Sequence, residues 1–133
     1  MTISSQPSPF ILGFDGIALR KELRKHLREI NPAGLILFRR NMESLKQTRQ
    51  VIRELRDFLG EIIIAVDHEG GIVNRFPEDC PVPPSPSALH AARSLETMEK
   101  ACRLQAEVLA YLGFNMNFVP LVDLALSSEN QVI

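Results

Sequence analysis

Three short apolar runs punctuate the first half of the chain: "FILGF" (Phe10 to Phe14), "GLILF" (Gly34 to Phe38) and "IIIAV" (Ile62 to Val66). Each is aliphatic and continuous rather than alternating, which is the pattern of strands covered on both faces. Between them the period changes. Leu19, Leu23, Leu27 and Ile30 fall on one helical stripe that stops at Asn31-Pro32, and Leu45, Val51, Ile52, Leu55 and Leu59 form a second. Ser44 followed by Gln47 is a capping-box pattern at the start of that second helix, and Gly60 predicts a left-handed stop. A third helix is predicted over Ser94 to Leu112, with Leu95, Met98, Cys102, Leu109 and Leu112 on its apolar face, and "FNMNFVPLVD" reads as a fourth strand.

The resulting order, β-α-β-α-β-α-β, predicts an α/β chain with a parallel sheet and right-handed crossovers. Periodicity alone leaves open whether that sheet is an open doubly wound one or an arc of a closed eight-stranded barrel. The connections after the first two strands are short. The third, leaving Val66, is long and proline-rich, with little regular structure expected, and it departs from the carboxyl end of a strand, where both architectures place their sites.

Composition narrows the class. With 45% hydrophobic and 23% charged residues, the 133-residue chain has room for one ordinary core. Fifteen Lys and Arg against sixteen Asp and Glu leave a formal charge of -1, so no general attraction to nucleic acid or anionic membrane is expected. Neither a signal peptide nor a bilayer-length apolar run is present, which predicts a soluble, cytoplasmic protein. Cys80 and Cys102 lack metal-ligand spacing and are expected to be free, reduced thiols.

The candidate chemistry gathers in "VDHEGGIVNR". Asp67 follows the third apolar run directly and should stand at the mouth of the sheet. Gly70 and Gly71 allow a sharp turn or a close backbone approach to a ligand. Arg75 can return a planar fork of donors to the same place, either to share a ligand with Asp67 or to pin the loop as an ion pair. The bare residues favour neither reading. Glu69 could bind substrate or act as an acid, or cap amides within the turn. His68 is expected to be a solvated loop residue, and His26 and His90 packing or surface residues. Asp15 and Asp123 close predicted strands and are expected to fix loops; a convergence of such carboxylates would suit a polyhydroxylated ligand or Mg²⁺. No P-loop or dinucleotide fingerprint occurs, and no cofactor or metal site is expected.

"GLILFRRNMES", "AVDHEGGIVNRF", "VPPSPSAL" and "LGFNMNFVPLVDLA" together resemble, in order and spacing, the first half of the barrel domain of glycoside hydrolase family 3, and in particular its bacterial β-N-acetylhexosaminidase branch. The resemblance implies the amino-terminal portion of a TIM (β/α)8 barrel, about four βα units forming a single partial domain over residues 1–133. It implies that Asp67 and Arg75 bind sugar at the subsite where the glycosidic bond is cut, with His68, Glu69, Gly70, Gly71 and Asp123 as loop support. His68 stands where family members often have glutamine. The activity implied is retaining hydrolysis of terminal β-linked N-acetylglucosamine, with cell-wall muropeptides as the implied source, without cofactor.

The family's aspartate nucleophile and its histidine acid/base, which follows a K-H-F-P-G-H-G-like motif, have no counterpart between Met1 and Ile133, so no catalytic residue is expected within this chain. The isolated chain is expected to be inactive. Three alternatives stand beside this reading: a non-catalytic sugar-binding or interaction module, a β-glucosidase of the same family, and an unrelated Mg²⁺-dependent α/β enzyme. Four strands cannot close a barrel, which also raises self-association through exposed half-barrel edges.

Overall fold

A computed structural model of the chain describes residues 6–122. Its elements run β1 (Ser8–Gly13), α1 (Lys21–Ile30), β2 (Pro32–Leu37), a 3₁₀ turn (Arg39–Asn41), α2 (Leu45–Leu59), β3 (Ile63–Val66), α3 (Pro86–Ala91), α4 (Leu95–Leu112) and β4 (Met116–Asn117). The four strands form one parallel sheet in the order β1-β2-β3-β4. That order decides between the two architectures. A doubly wound sheet reverses direction to place helices on both faces. Here each strand is added on the same side of the last, and crossovers of the usual right hand then put the helices on one face, the arrangement of a barrel arc.

The core lies between that helical layer and β2 and β3. Leu35, Leu37, Ile64 and Val66 are sealed from solvent together with Val51, Ile52 and Leu55 of α2. α2 begins where the sequence places it. The Ser44 hydroxyl accepts from the Gln47 N–H at 3.2 Å, while the Gln47 side chain reaches back to the Glu43 N–H at 2.9 Å, one residue before the usual partner. Gly60 ends the helix with φ 81° and ψ -146°, a positive-φ conformation outside the left-handed helical region.

Several apolar positions depart from expectation. Phe10 is 57% exposed, because β1 pairs only with β2 among the described residues and keeps its other side open. Leu19 precedes α1 and is buried there, and Leu27 is the one buried residue of the helix itself, while Ile30 is exposed. Leu95, Met98 and Cys102 are exposed as well. α4 joins the core through its final turns, at Leu109 and Leu112, while its earlier turns line an open groove against the proline run. The proline-rich passage is not wholly irregular either. Ser85 caps α3 by accepting from the Ala88 N–H at 3.1 Å, and Pro86 occupies the first turn, where a missing N–H costs nothing.

The carboxyl ends of β1 and β2 are tied by a fully buried asparagine. Asn41 donates from Nδ2 to the Phe14 and Gly16 carbonyls, both at 2.9 Å, and accepts from the Phe38 N–H at 2.9 Å. Nearby, Asp15 accepts from Arg40 Nε at 2.9 Å in an exposed ion pair, the loop-fixing role expected of it. Asp123 lies outside the described residues.

β2 and β3 approach closely at Gly34, which is opposite Ile63. A Cβ added to Gly34 would sit 2.6 Å from the Ile63 Cβ and 2.8 Å from its carbonyl oxygen. Gly34→Ala should therefore destabilise the fold by about 1–3 kcal/mol, the usual cost of overpacking. The measurement is the urea midpoint at unchanged slope; a midpoint equal to wild type would mean that the two strands can separate locally at no cost.

Candidate functional site

β3 delivers Asp67 to the mouth of the sheet, and the chain then turns back on itself. The Glu69 and Gly70 N–H groups both donate to the Val73 carbonyl, at 3.1 and 3.2 Å. The reversal brings Arg75 beside Asp67: Arg75 Nη2 donates to Asp67 Oδ2 at 2.9 Å, and Nε donates to the Asp67 carbonyl at 3.0 Å. Both side chains are somewhat less than one third exposed, at 29% for Arg75 and 28% for Asp67. Asp67 Oδ1 and Arg75 Nη1 make no hydrogen bond to the described residues. The pair is thus an ion pair that orients the loop and, at the same time, an acceptor and a donor held side by side with capacity to spare.

The two glycines serve their own loop. Gly70 and Gly71 have φ of 90° and 58°, which glycine adopts without steric cost. A Cβ on Gly70 would lie 2.5 Å from the Pro84 carbonyl oxygen, and one on Gly71 would lie 2.5 Å from the Ser85 Cβ. The Gly71 N–H donates to the Pro83 carbonyl at 2.9 Å. What approaches this backbone closely is the segment Pro83 to Ser85, so the glycine pair and the proline run form one packed unit.

His68 differs most from expectation. It is fully buried rather than solvated. Its ring stacks on Phe76 with centroids 3.8 Å apart, and its Nδ1 accepts the Arg75 main-chain N–H at 3.0 Å. With Nδ1 accepting, the proton of the neutral ring belongs on Nε2, which has no partner among the described residues. Burial, reinforced by the Arg75 charge and opposed by Asp67, lowers the His68 pKa from 6.5 to about 4. The imidazole is neutral at pH 7.

Its peptide is held as firmly. The Asn117 side-chain amide accepts from the His68 N–H and donates to the His68 carbonyl, each at 3.0 Å, and Gln105 Nε2 of α4 donates to the same carbonyl at 2.6 Å. Asn115 repeats the device one step back, accepting from the Ile64 N–H at 2.7 Å and donating to the Ile62 carbonyl at 3.0 Å. These two asparagines extend a two-residue strand along the whole of β3. The signal was present in "NMN", where a two-residue spacing puts both amides on the same side of a strand.

Glu69 does not cap the turn: its side chain makes no hydrogen bond to the described residues. Its carboxyl pKa is raised by burial and by the neighbouring Asp67 charge, with Arg75 opposing. His26 and His90 are exposed surface residues. Cys80 and Cys102 are both free, and burial with the Asp79 charge raises the Cys80 thiol. Among the described residues, no three His, Cys, Asp or Glu side chains cluster to hold a metal ion, and no helix is long and apolar enough to cross a membrane. A groove of about 440 Å³ lies between α4 and the proline run and includes Phe76 and Gln105. Its lining is mostly apolar and excludes Asp67 and Arg75, so it is separate from the charged pair.

Comparison with known proteins places this geometry. The family model for the glycosyl hydrolase family 3 N-terminal domain matches residues 8–133. The beta-hexosaminidase of Psychromonas ingrahamii is 35% identical over 124 residues, covering 87% of this chain and 36% of that protein. That of Thioalkalivibrio sulfidiphilus is 36% identical over 124 residues, covering 88% and 36%. Among solved structures, native NagZ from Neisseria gonorrhoeae superposes with a TM-score of 0.76 at 30% identity, covering 89% of this chain and 37% of that one. A glycoside hydrolase family 3 beta-N-acetylglucosaminidase from Paenibacillus sp. gives 0.77 at 34% identity, covering 83% and 22%. The chain spans about 36% of the length of these curated relatives. It belongs to glycosyl hydrolase family 3, matching that family's N-terminal domain.

Proposed function

We propose that the chain carries part of the sugar-binding site of a retaining β-N-acetylhexosaminidase acting on terminal β-linked N-acetylglucosamine, with Asp67 and Arg75 as the binding groups. One observation carries the reading. At the carboxyl end of β3, the half-buried Arg75 guanidinium donates once to the Asp67 carboxylate and once to the Asp67 main-chain carbonyl, yet carboxylate and guanidinium each keep a hydrogen-bonding atom unused by the described residues. Sugar hydroxyls both donate and accept, so such a pair can hold one in a fixed orientation, and no ordering of either side chain is left to be done on binding. The names of the relatives support N-acetylglucosamine over glucose. Cleavage requires a nucleophile and an acid/base about 5–5.5 Å apart. Neither role is assigned to a residue of this chain, which is proposed to bind without turning over. Muropeptide recycling in the cytoplasm is the proposed setting of the whole enzyme. Among the described residues β1 and β4 each pair on one side only, which supports self-association as a proposal for the isolated chain.

Calorimetric titration of the 133-residue chain with N-acetylglucosamine should give weak, saturable binding. Removing a charge-assisted hydrogen bond costs about 1.5–3 kcal/mol, so Asp67→Ala and Arg75→Ala should each weaken it at least tenfold. Variants that bind as wild type would leave the pair as a loop pin alone. Release of nitrophenol from 4-nitrophenyl N-acetyl-β-D-glucosaminide should be undetectable with the 133-residue chain, and release abolished by Asp67→Ala would show that catalytic groups lie within it.

A further inference from the structure

The guanidinium of Arg75 is held by Asp67, but its main chain is held by His68. Nothing else among the described residues accepts the Arg75 N–H, and the acceptor is a ring nitrogen that can change its role by gaining a proton. The ring itself has little freedom. Phe76 stacks on one face, and the His68 peptide is fixed by Asn117 of β4 and Gln105 of α4. A chain of contacts thus runs from β4 and α4, through the His68 peptide and imidazole, to the Arg75 backbone, and returns through the guanidinium to Asp67.

We propose that His68 is a positioning residue for the sugar site: its imidazole ring, acting as acceptor at Nδ1, fixes the Arg75 backbone so that the guanidinium meets Asp67 in binding geometry. The inference rests on the sugar-site reading for its consequence and on the hydrogen bond alone for its mechanism. A hydrophobic residue of similar size would fill the space beside Phe76 but leave the Arg75 N–H without an acceptor. An asparagine would lose the stacking yet place an amide oxygen at the distance from the backbone that Nδ1 occupies. The two substitutions therefore separate packing from acceptance.

Protonation tests the same contact. An imidazolium has a donor at both nitrogens, so Nδ1 could no longer accept, and the new charge would face Arg75 at close range. The charged groups around the ring are Asp67 and Arg75, with Glu69 next along the chain, while β4 and α4 present the neutral amides of Asn117 and Gln105. Because the folded pKa is depressed, the stabilisation is complete above 6.5, declines as the pH falls below it, and is exhausted near 4.

The experiment is nitrogen-15 NMR on the 133-residue chain. At pH 7, wild type should show an unprotonated Nδ1 and a protonated Nε2 at His68, and slow hydrogen exchange at the Arg75 N–H. His68→Leu should speed that exchange at least tenfold and weaken N-acetylglucosamine binding by a similar factor, whereas His68→Asn should keep both near wild type. In urea unfolding, wild type should lose stability between pH 6.5 and 4 relative to His68→Asn. An Nδ1-protonated tautomer in wild type would overturn the proposal, even if His68→Leu fails to fold. So would equal exchange in all three proteins, or equal damage from both substitutions. Wild type that binds no sugar, with the exchange pattern intact, would refute the sugar-site reading and leave the positioning of Arg75 established.

Discussion

The peptide of His68 is the joint at which the sheet ends and the site begins. Three hydrogen bonds from Asn117 and Gln105 hold it, and those residues come from β4 and α4, the last elements described. Parallel strands need long crossovers before they can pair, so β3 remains without its second neighbour until α4 has been laid against α2. The placement of Asp67, one residue before the joint, and of Arg75, bonded to its imidazole, depends on that completed pairing. A backbone junction with every group satisfied is more rigid than the two-residue β4 alone would provide.

Much of the scaffold was legible because its determinants are local or periodic. The aliphatic runs at Leu35 and Ile64 read as buried strands, and Ser44 with Gln47 marked the start of α2. Burial at α4 was not legible. Leu95 and Met98 sit on the same stripe as Leu109 and Leu112, and only the tertiary arrangement determines which turns of a helix find a partner. Periodicity likewise left barrel and open sheet undecided; the family resemblance implied the barrel, and the strand order agrees with it.

The site divided in the same way. Asp67 and Arg75 could be paired from the strand end, the glycines and the fork of donors. His68 could not be placed, since a histidine in a polar loop reads as solvated until the turn that covers it is known. Gly70 and Gly71 suit either a sharp turn or a close approach to a ligand, and the structure shows the turn, with Pro83 to Ser85 as the segment that approaches. Asn115 and Asn117 passed as ordinary strand residues because their work is done on the backbone of another segment, a role that side-chain type does not announce.

The Asp67–Arg75 pair closes within nine positions of sequence and draws its fork, its turn and its imidazole acceptor from one loop. Such short-range contacts form with little loss of chain entropy, ahead of contacts that span the molecule. The charged pair therefore draws its own contacts from one loop, while its placement at the end of β3 rests on the bonds that Asn117 and Gln105 make to the His68 peptide. Changes in β4 or α4 then reach the pair by one route, the His68 peptide, whereas changes within the loop act on the pair directly.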